Sequence, residues 1–212
     1  MWSPADIVET AAEAIRQAES RLREEQSTDT VDAMRERELQ DLLGGAFRAT
    51  GWTVEREVRY PSSRPRSRAS GARCDLVLTN GAPLRPDAAP SLFDPMDPTP
   101  PEGACWIELK SAAARDVEGP TAAYARTLSD GALRDAATLA GERAIRHGMV
   151  MLVLFGTDAS ALQRDVDRWI DETLATGIPV GQPRTRFVEI RDLRGNAVAC
   201  VACVPVSRAP TD

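Results

Sequence analysis

The 212-residue sequence predicts an α/β fold, a mixed β-sheet flanked by helices, and three observations carry that expectation. Helical periodicity over residues 5–26 and 31–50 precedes three short extended segments, at 52–60, 74–78 and 105–110. A helical pattern from about Leu128 to His147 then leads into "MVMLVLF" at 149–155, apolar throughout, as a strand covered on both faces must be. Helices at both ends of a short antiparallel run, followed by a buried strand, build a mixed sheet with two covered faces.

The first helical segment sets Val8, Ala11, Ile15, Ala18 and Leu22 on one stripe, suited to packing on the domain or to pairing with another copy. "STDT" breaks it, and a second helix over 31–50 carries Leu39, Leu42, Leu43 and Phe47 before Gly51 ends it. "WTVEREVRY" alternates as a strand, with Trp52, Val54, Arg56, Val58 and Tyr60 expected on one face. An arginine- and serine-rich loop follows, then "CDLVL" at 74–78. Residues 81–103 hold seven prolines between Pro83 and Pro101 and read as a surface insertion. "CWIELK" at 105–110 is the next strand. A helix at 159–175 precedes two closing strands, "RFVEIRDL" and "AVACVACVPV", joined at Arg194-Gly195-Asn196.

Composition narrows the function classes. Hydrophobic residues make up 42% and charged residues 27%, ordinary for one soluble core of this length. The longest apolar run is too short to span a bilayer and the N-terminus has no signal-peptide pattern, so a cytoplasmic protein without a membrane partner is expected. A net charge of −6 argues against a protein that coats nucleic acid non-specifically. Four cysteines raise the question of zinc, but Cys200 and Cys203 fall within one strand, where residues three apart point to opposite faces. Buried thiols are the simpler reading. A single histidine, His147, excludes histidine-metal nucleases; it is expected at a helix end, interacting with the helix dipole.

The informative residue is Lys110, the one lysine beside 25 arginines. Unlike arginine, lysine is a compact charge whose pKa can be shifted. Glu108 and Lys110 are two apart in a strand and leave the same face, with Trp106 beside them and Ile107 and Leu109 turned into the core. If the strands at 75 and 108 pair as an antiparallel hairpin across the insertion, Asp75 comes next to Glu108. Two adjacent carboxylates repel unless a cation lies between them. Oxygen ligation by Asp75, Glu108, the Leu109 carbonyl and water suits Mg2+ or Mn2+. Lys110 would then help deprotonate or orient a metal-bound water. The competing reading is a surface ion-pair set of Asp75, Glu108, Lys110 and Arg73.

Asp75 followed about thirty residues later by "ELK" resembles the PD-(D/E)XK nuclease superfamily over roughly residues 31–155, with Cys74 in place of the motif's proline. The resemblance implies a restriction endonuclease-like mixed sheet. It divides the chain into an N-terminal helical extension (1–30), a nuclease-like domain (31–206) and a short tail (207–212). Within that domain lie the proline-rich insertion (80–103) and a C-terminal helix plus β-hairpin extension (156–206). It further implies a Mg2+-dependent deoxyribonuclease acting in restriction, repair or phage defence, or else an inactive nuclease-like subunit that binds protein or DNA. Asp75, Glu108 and Lys110 would be catalytic, joined by a glutamate of the first core helix. Glu36 and Glu38 are both candidates, and the spacing to Leu39, Leu43 and Phe47 suits Glu36 better. The acidic bulk suggests that tight DNA binding draws on a homodimer or a partner protein.

Beside such a site the arginines of residues 56–73 become a phosphate-contacting surface, with Arg59, Arg64, Arg66, Arg68 and Arg73 as candidates. Replacing Arg64, Arg66 and Arg68 by serine is expected to weaken DNA binding and flatten its salt dependence. An unchanged salt slope in a binding titration would remove the loop from the interface.

Overall fold

A computed structural model of the protein describes residues 2–61, 72–85 and 98–208. The elements run α1 (Pro4–Glu24), α2 (Glu36–Ala49), β1 (Thr53–Arg59), β2 (Arg73–Thr79), β3 (Cys105–Ala113) and the short strands β4 (Arg115–Asp116) and β5 (Gly119–Pro120). They continue as α3 (Ala122–Arg126), α4 (Leu133–Gly141), β6 (His147–Gly156), α5 (Ala159–Ala175), β7 (Arg184–Glu189) and β8 (Val198–Val206). Six strands form one mixed sheet in the order β1-β2-β3-β6-β8-β7, in which only β3 and β6 are parallel. The α/β expectation with helices on both faces is met at this level.

Strand alternation divides the core into two layers. Met149, Met151, Val153 and Phe155 of β6 join Ile7 and Ile15 of α1 and Leu39, Leu43 and Phe47 of α2 on one face. Val150, Leu152 and Leu154 pack on the other face with Leu139 of α4 and Leu162, Val166 and Trp169 of α5. Both sides of β6 are therefore apolar, which is why its sequence shows no alternation. Cys203 lies in the first layer and Cys200 in the second, so the C-x-x-C pair straddles the sheet, and all four cysteines are free and buried. Among the described residues no helix is long and apolar enough to cross a membrane.

α1 belongs to this core. It packs against β7, β8 and α2, and its Glu19 is buried. Glu19 accepts from the backbone N of Arg191 at 3.1 Å and from its guanidinium at 2.9 Å. Arg191 reaches on to the carbonyls of Ser27 and Asp29, so one ion pair ties the end of α1 to the link between β7 and β8.

Several boundaries differ from the periodicity. The second helix starts only at Glu36; Val31–Ala33 is a single 3-10 turn, followed by extended backbone at Met34 and Arg35. The helix expected over 128–147 begins earlier, at Ala122, widens into a π-helical turn over Thr127–Ala132, and ends at Gly141. His147 is thus not at a helix end. It opens β6 opposite Cys105 of β3, where pairing along the whole parallel ladder outweighs the local helical pattern. The roots of the proline-rich insertion are anchored: Leu84 is buried and bridges Thr99, and the Trp106 indole donates to the Pro101 carbonyl. Residues 86–97 of the insertion lie outside the described ones.

The face expected for β1 changes part-way. Val54 joins the α1–α2 layer, whereas Val58 and Tyr60 join the layer under α4 and α5. The turnover occurs at Glu57, which sits in the left-handed region at φ 52°. That conformation disfavours a residue with a Cβ, so the paired segments on either side must hold it.

The Glu19–Arg191 pair generates a stability test. Glu19→Ala removes the counter-charge of the part-buried Arg191 guanidinium and the acceptor of the Arg191 and Val31 backbone N–H groups, and should cost about 1–3 kcal/mol. Urea unfolding of wild type and variant would register this as a lower midpoint.

Candidate active site

β2 and β3 pair at Leu78↔Cys105, Val77↔Trp106 and Leu76↔Ile107, and the ladder stops there. The next pair would be Asp75 and Glu108. Instead Asp75 fills the opening gap with its side chain: one oxygen accepts from the backbone N of Leu109 at 2.8 Å, the other from the Gln40 amide at 2.8 Å. The carboxylate thus satisfies a β3 donor that a continued ladder would have satisfied. Cys74, just before it, is fully buried and bonds the Ile107 carbonyl through its Sγ at 3.3 Å.

Glu108 is 5% exposed and accepts a hydrogen bond from the Tyr60 hydroxyl. The Tyr60 ring stacks on Trp106 with centroids 5.9 Å apart. Tyr60 reaches this place because of the turnover at Glu57. Burial first, and then the Asp75 carboxyl beside it, push Glu108 up to about 9, so it holds a proton at neutral pH. Asp75 and Glu108 therefore form a buried carboxyl pair that resists a second negative charge, and not the exposed ion-pair set. Arg73 takes no part in it; its guanidinium donates to the Glu57 carbonyl at 2.7 Å.

Lys110 leaves the same face of β3 as Glu108, two residues on. Its ammonium lies 2.8 Å from Asp135 of α4, 3.6 Å from Glu36 of α2 and 3.0 Å from its own neighbour's carbonyl, Leu109. Burial alone would lower its pKa, but the Asp135 hydrogen bond and charge, helped by Glu36 and Asp75, leave it raised. The groups around Lys110 therefore favour its charged form. Burial raises the carboxyl of Asp135 as well, against the pull of Lys110. The π-helical turn brings these groups together: Gly131, in that turn, would place a Cβ 3.5 Å from the Lys110 stem, and Asp135 follows four residues later.

The two helix glutamates separate clearly. Glu36 accepts from the backbone N of Ser111 at 3.4 Å and approaches Lys110, and its carboxyl is raised by burial, countered by Lys110. Glu38 is not brought to the site; it turns back to cap its own helix, accepting from the Arg35 backbone N at 2.7 Å. Arg59 and Arg73 face each other in the β1–β2 ladder, both exposed. Arg64, Arg66 and Arg68 lie outside the described residues.

Gln40, Tyr60 and Asp135 escaped the reading of the sequence. Asp135 carried a usable signal: it falls on the stripe of Ala132, Ala136 and Leu139, where a part-buried acid favours a nearby cation. Gln40 is one helical turn after Glu36 on the same edge. Nothing local marks Tyr60.

Hard oxygen donors converge here in Asp75, Glu108 and the Leu109 carbonyl, the donor chemistry of Mg2+ or Mn2+. Removing the Glu108 proton leaves two adjacent negative charges, which a divalent ion can balance, so the residues fit such an ion in charge and donor type. Among the described residues no three His, Cys, Asp or Glu side chains gather to hold a metal by themselves.

The raised Glu108 has a thermodynamic consequence. Between about 4.5 and 9 the folded protein keeps a proton that the unfolded chain has released, so raising pH favours unfolding. In chelator, the unfolding midpoint should fall across that window, and Glu108→Gln should remove most of the slope. Equal slopes for both proteins would show that Glu108 is ionised in the fold. Comparison of the chain with models of known protein families, with curated proteins and with solved structures returned no match.

Proposed function

We propose that this protein is a Mg2+- or Mn2+-dependent nuclease of the PD-(D/E)XK kind, with a restriction endonuclease-like arrangement of its sheet, that hydrolyses DNA phosphodiester bonds. The observation that carries the reading is the buried Asp75–Glu108 pair with Lys110 on the adjoining position of the same strand face. An ordinary structural site would not maintain two neighbouring carboxyls below the surface beside a separately neutralised ammonium.

In this reading Asp75, Glu108 and the Leu109 carbonyl hold the ion, and Gln40 and Tyr60 orient the two carboxyls through their hydrogen bonds. A bound divalent ion would supply a polarised phosphate oxygen and a water of lowered pKa. Lys110 stays charged through Asp135 and stabilises the negative charge that grows on the phosphate oxygens as the bond breaks. Glu36, half-exposed and 3.6 Å from Lys110, accepts the proton of the attacking water.

A second reading has its own supporting observation. Both Asp75 oxygens, Glu108 and Lys110 already have protein partners. A nuclease-like subunit that binds protein or DNA without cutting would present such a satisfied network.

Plasmid cleavage with Mn2+ or Mg2+ separates the two. Wild type should nick or linearise plasmid and stop in chelator, while Asp75→Asn and Lys110→Ala lower the rate by at least about a hundredfold. Wild type that binds DNA but never cuts it in either metal would establish the second reading. Equal cutting by all three proteins would exclude this site.

A further inference from the structure

A groove of about 690 Å3 opens between the first turn of α2 and the β1–β2 pair, beside the candidate site. Asp75 and Glu36 of that site line one part of it. Arg35 and Arg37 stand on the α2 wall, and Arg56 and Arg73 on the strand wall. Two of the four are already committed: Arg56 pairs with Asp41, and Arg73 is held on the Glu57 carbonyl. Arg35 and Arg37 are exposed, and neither side chain has an ion-pair partner among the described residues. In a chain where acids outnumber bases 32 to 26, guanidinium groups are easily neutralised internally. These two line the groove without an ion pair of their own, in a lining where four arginines stand with three carboxyls, Glu36, Glu57 and Asp75.

The chemistry of the walls limits what can lie between them. Guanidinium forks match phosphate oxygens bidentately. Among the described residues no aromatic side chain lines the groove, so its walls offer no platform on which bases could stack. What such walls recognise is the backbone of a polyanion and not its bases. A strand with its reacting phosphate at Asp75 and Glu36 would pass its next phosphates directly into this space.

We infer that the groove receives the sugar–phosphate chain of one DNA strand beside the bond to be cut, with Arg35 and Arg37 contacting its phosphates independently of base sequence; this rests on the nuclease reading above. It adds Arg35 and Arg37, at the mouth of α2, to the phosphate-contacting arginines expected within residues 56–73.

The test is a fluorescence-anisotropy titration of two labelled single-stranded oligonucleotides, one of mixed sequence and one of thymidine only, across a salt series in chelator. The proteins are wild type, Arg35→Ser/Arg37→Ser, and Arg143→Ser/Arg146→Ser, which removes the same charge from the turn before β6. Wild type should bind both oligonucleotides alike. The α2 pair should weaken both and make the log–log salt slope shallower by about 0.7 for each phosphate that is no longer neutralised. The control pair should keep the wild-type slope. If wild type binds but the α2 pair keeps its slope, or both pairs weaken binding equally, the inference falls while the nuclease reading stands. A strong preference for one oligonucleotide overturns it too. Wild type that binds neither also overturns it, and if plasmid is then left uncut as well, the nuclease reading falls with it.

Discussion

Two carboxyl groups share a buried place at the point where β2 and β3 part, and the cost of ionising both is the constraint that the hydrogen bonds around them answer. Asp75 is held by the Leu109 backbone and the Gln40 amide, and Glu108 by Tyr60. Without a cation, Glu108 keeps its proton because burial and Asp75 together make ionisation costly. A core built only for stability would place apolar side chains here, since a satisfied polar network at best equals them. The departure from that rule is the reason to read the place as functional.

Position in the sheet explains why the site is rigid. β3 is interior, and Glu108 and Lys110, just past its last pair with β2, are held by the ladder that runs along its whole length to β6. Elements from both faces converge on it: α2 contributes Glu36 and Gln40 and the π-turned helix contributes Asp135, although α2 and α4 belong to opposite layers. They meet because the end of β3 projects past the β2 pairing and is reached from either side. The irregularities cluster there too. The left-handed Glu57 delivers Tyr60, and the π-helical turn lays Gly131 and Asp135 against Lys110. Each is locally unfavourable, and each brings a polar side chain to the same few ångströms.

Lys110, the lone lysine among arginines, has two carboxyl groups and a carbonyl around its ammonium, and they favour its charged form. Its stem runs past Gly131, where an added Cβ would lie 3.5 Å from it.

Local pattern was sufficient for the elements whose partners lie on either side at regular spacing. The amphipathic stripe of α1, the uninterrupted apolarity of β6, the span of α5 and the common face of Glu108 and Lys110 all follow from the two periods of side-chain direction. The opposed faces of Cys200 and Cys203 follow in the same way. Tertiary structure decided everything that depends on a neighbour distant in the chain. His147 became a strand residue because β3 offered it a ladder. Glu36 was separated from Glu38 because only the first reaches Ser111 and Lys110. The stripe of Ala132, Ala136 and Leu139 marks Asp135 as an inward-facing acid but cannot name Lys110, 25 residues away, as its partner, since charge complementarity acts through space and leaves no period in sequence. Periodicity reports which way a side chain points; what it meets there is a property of the folded chain.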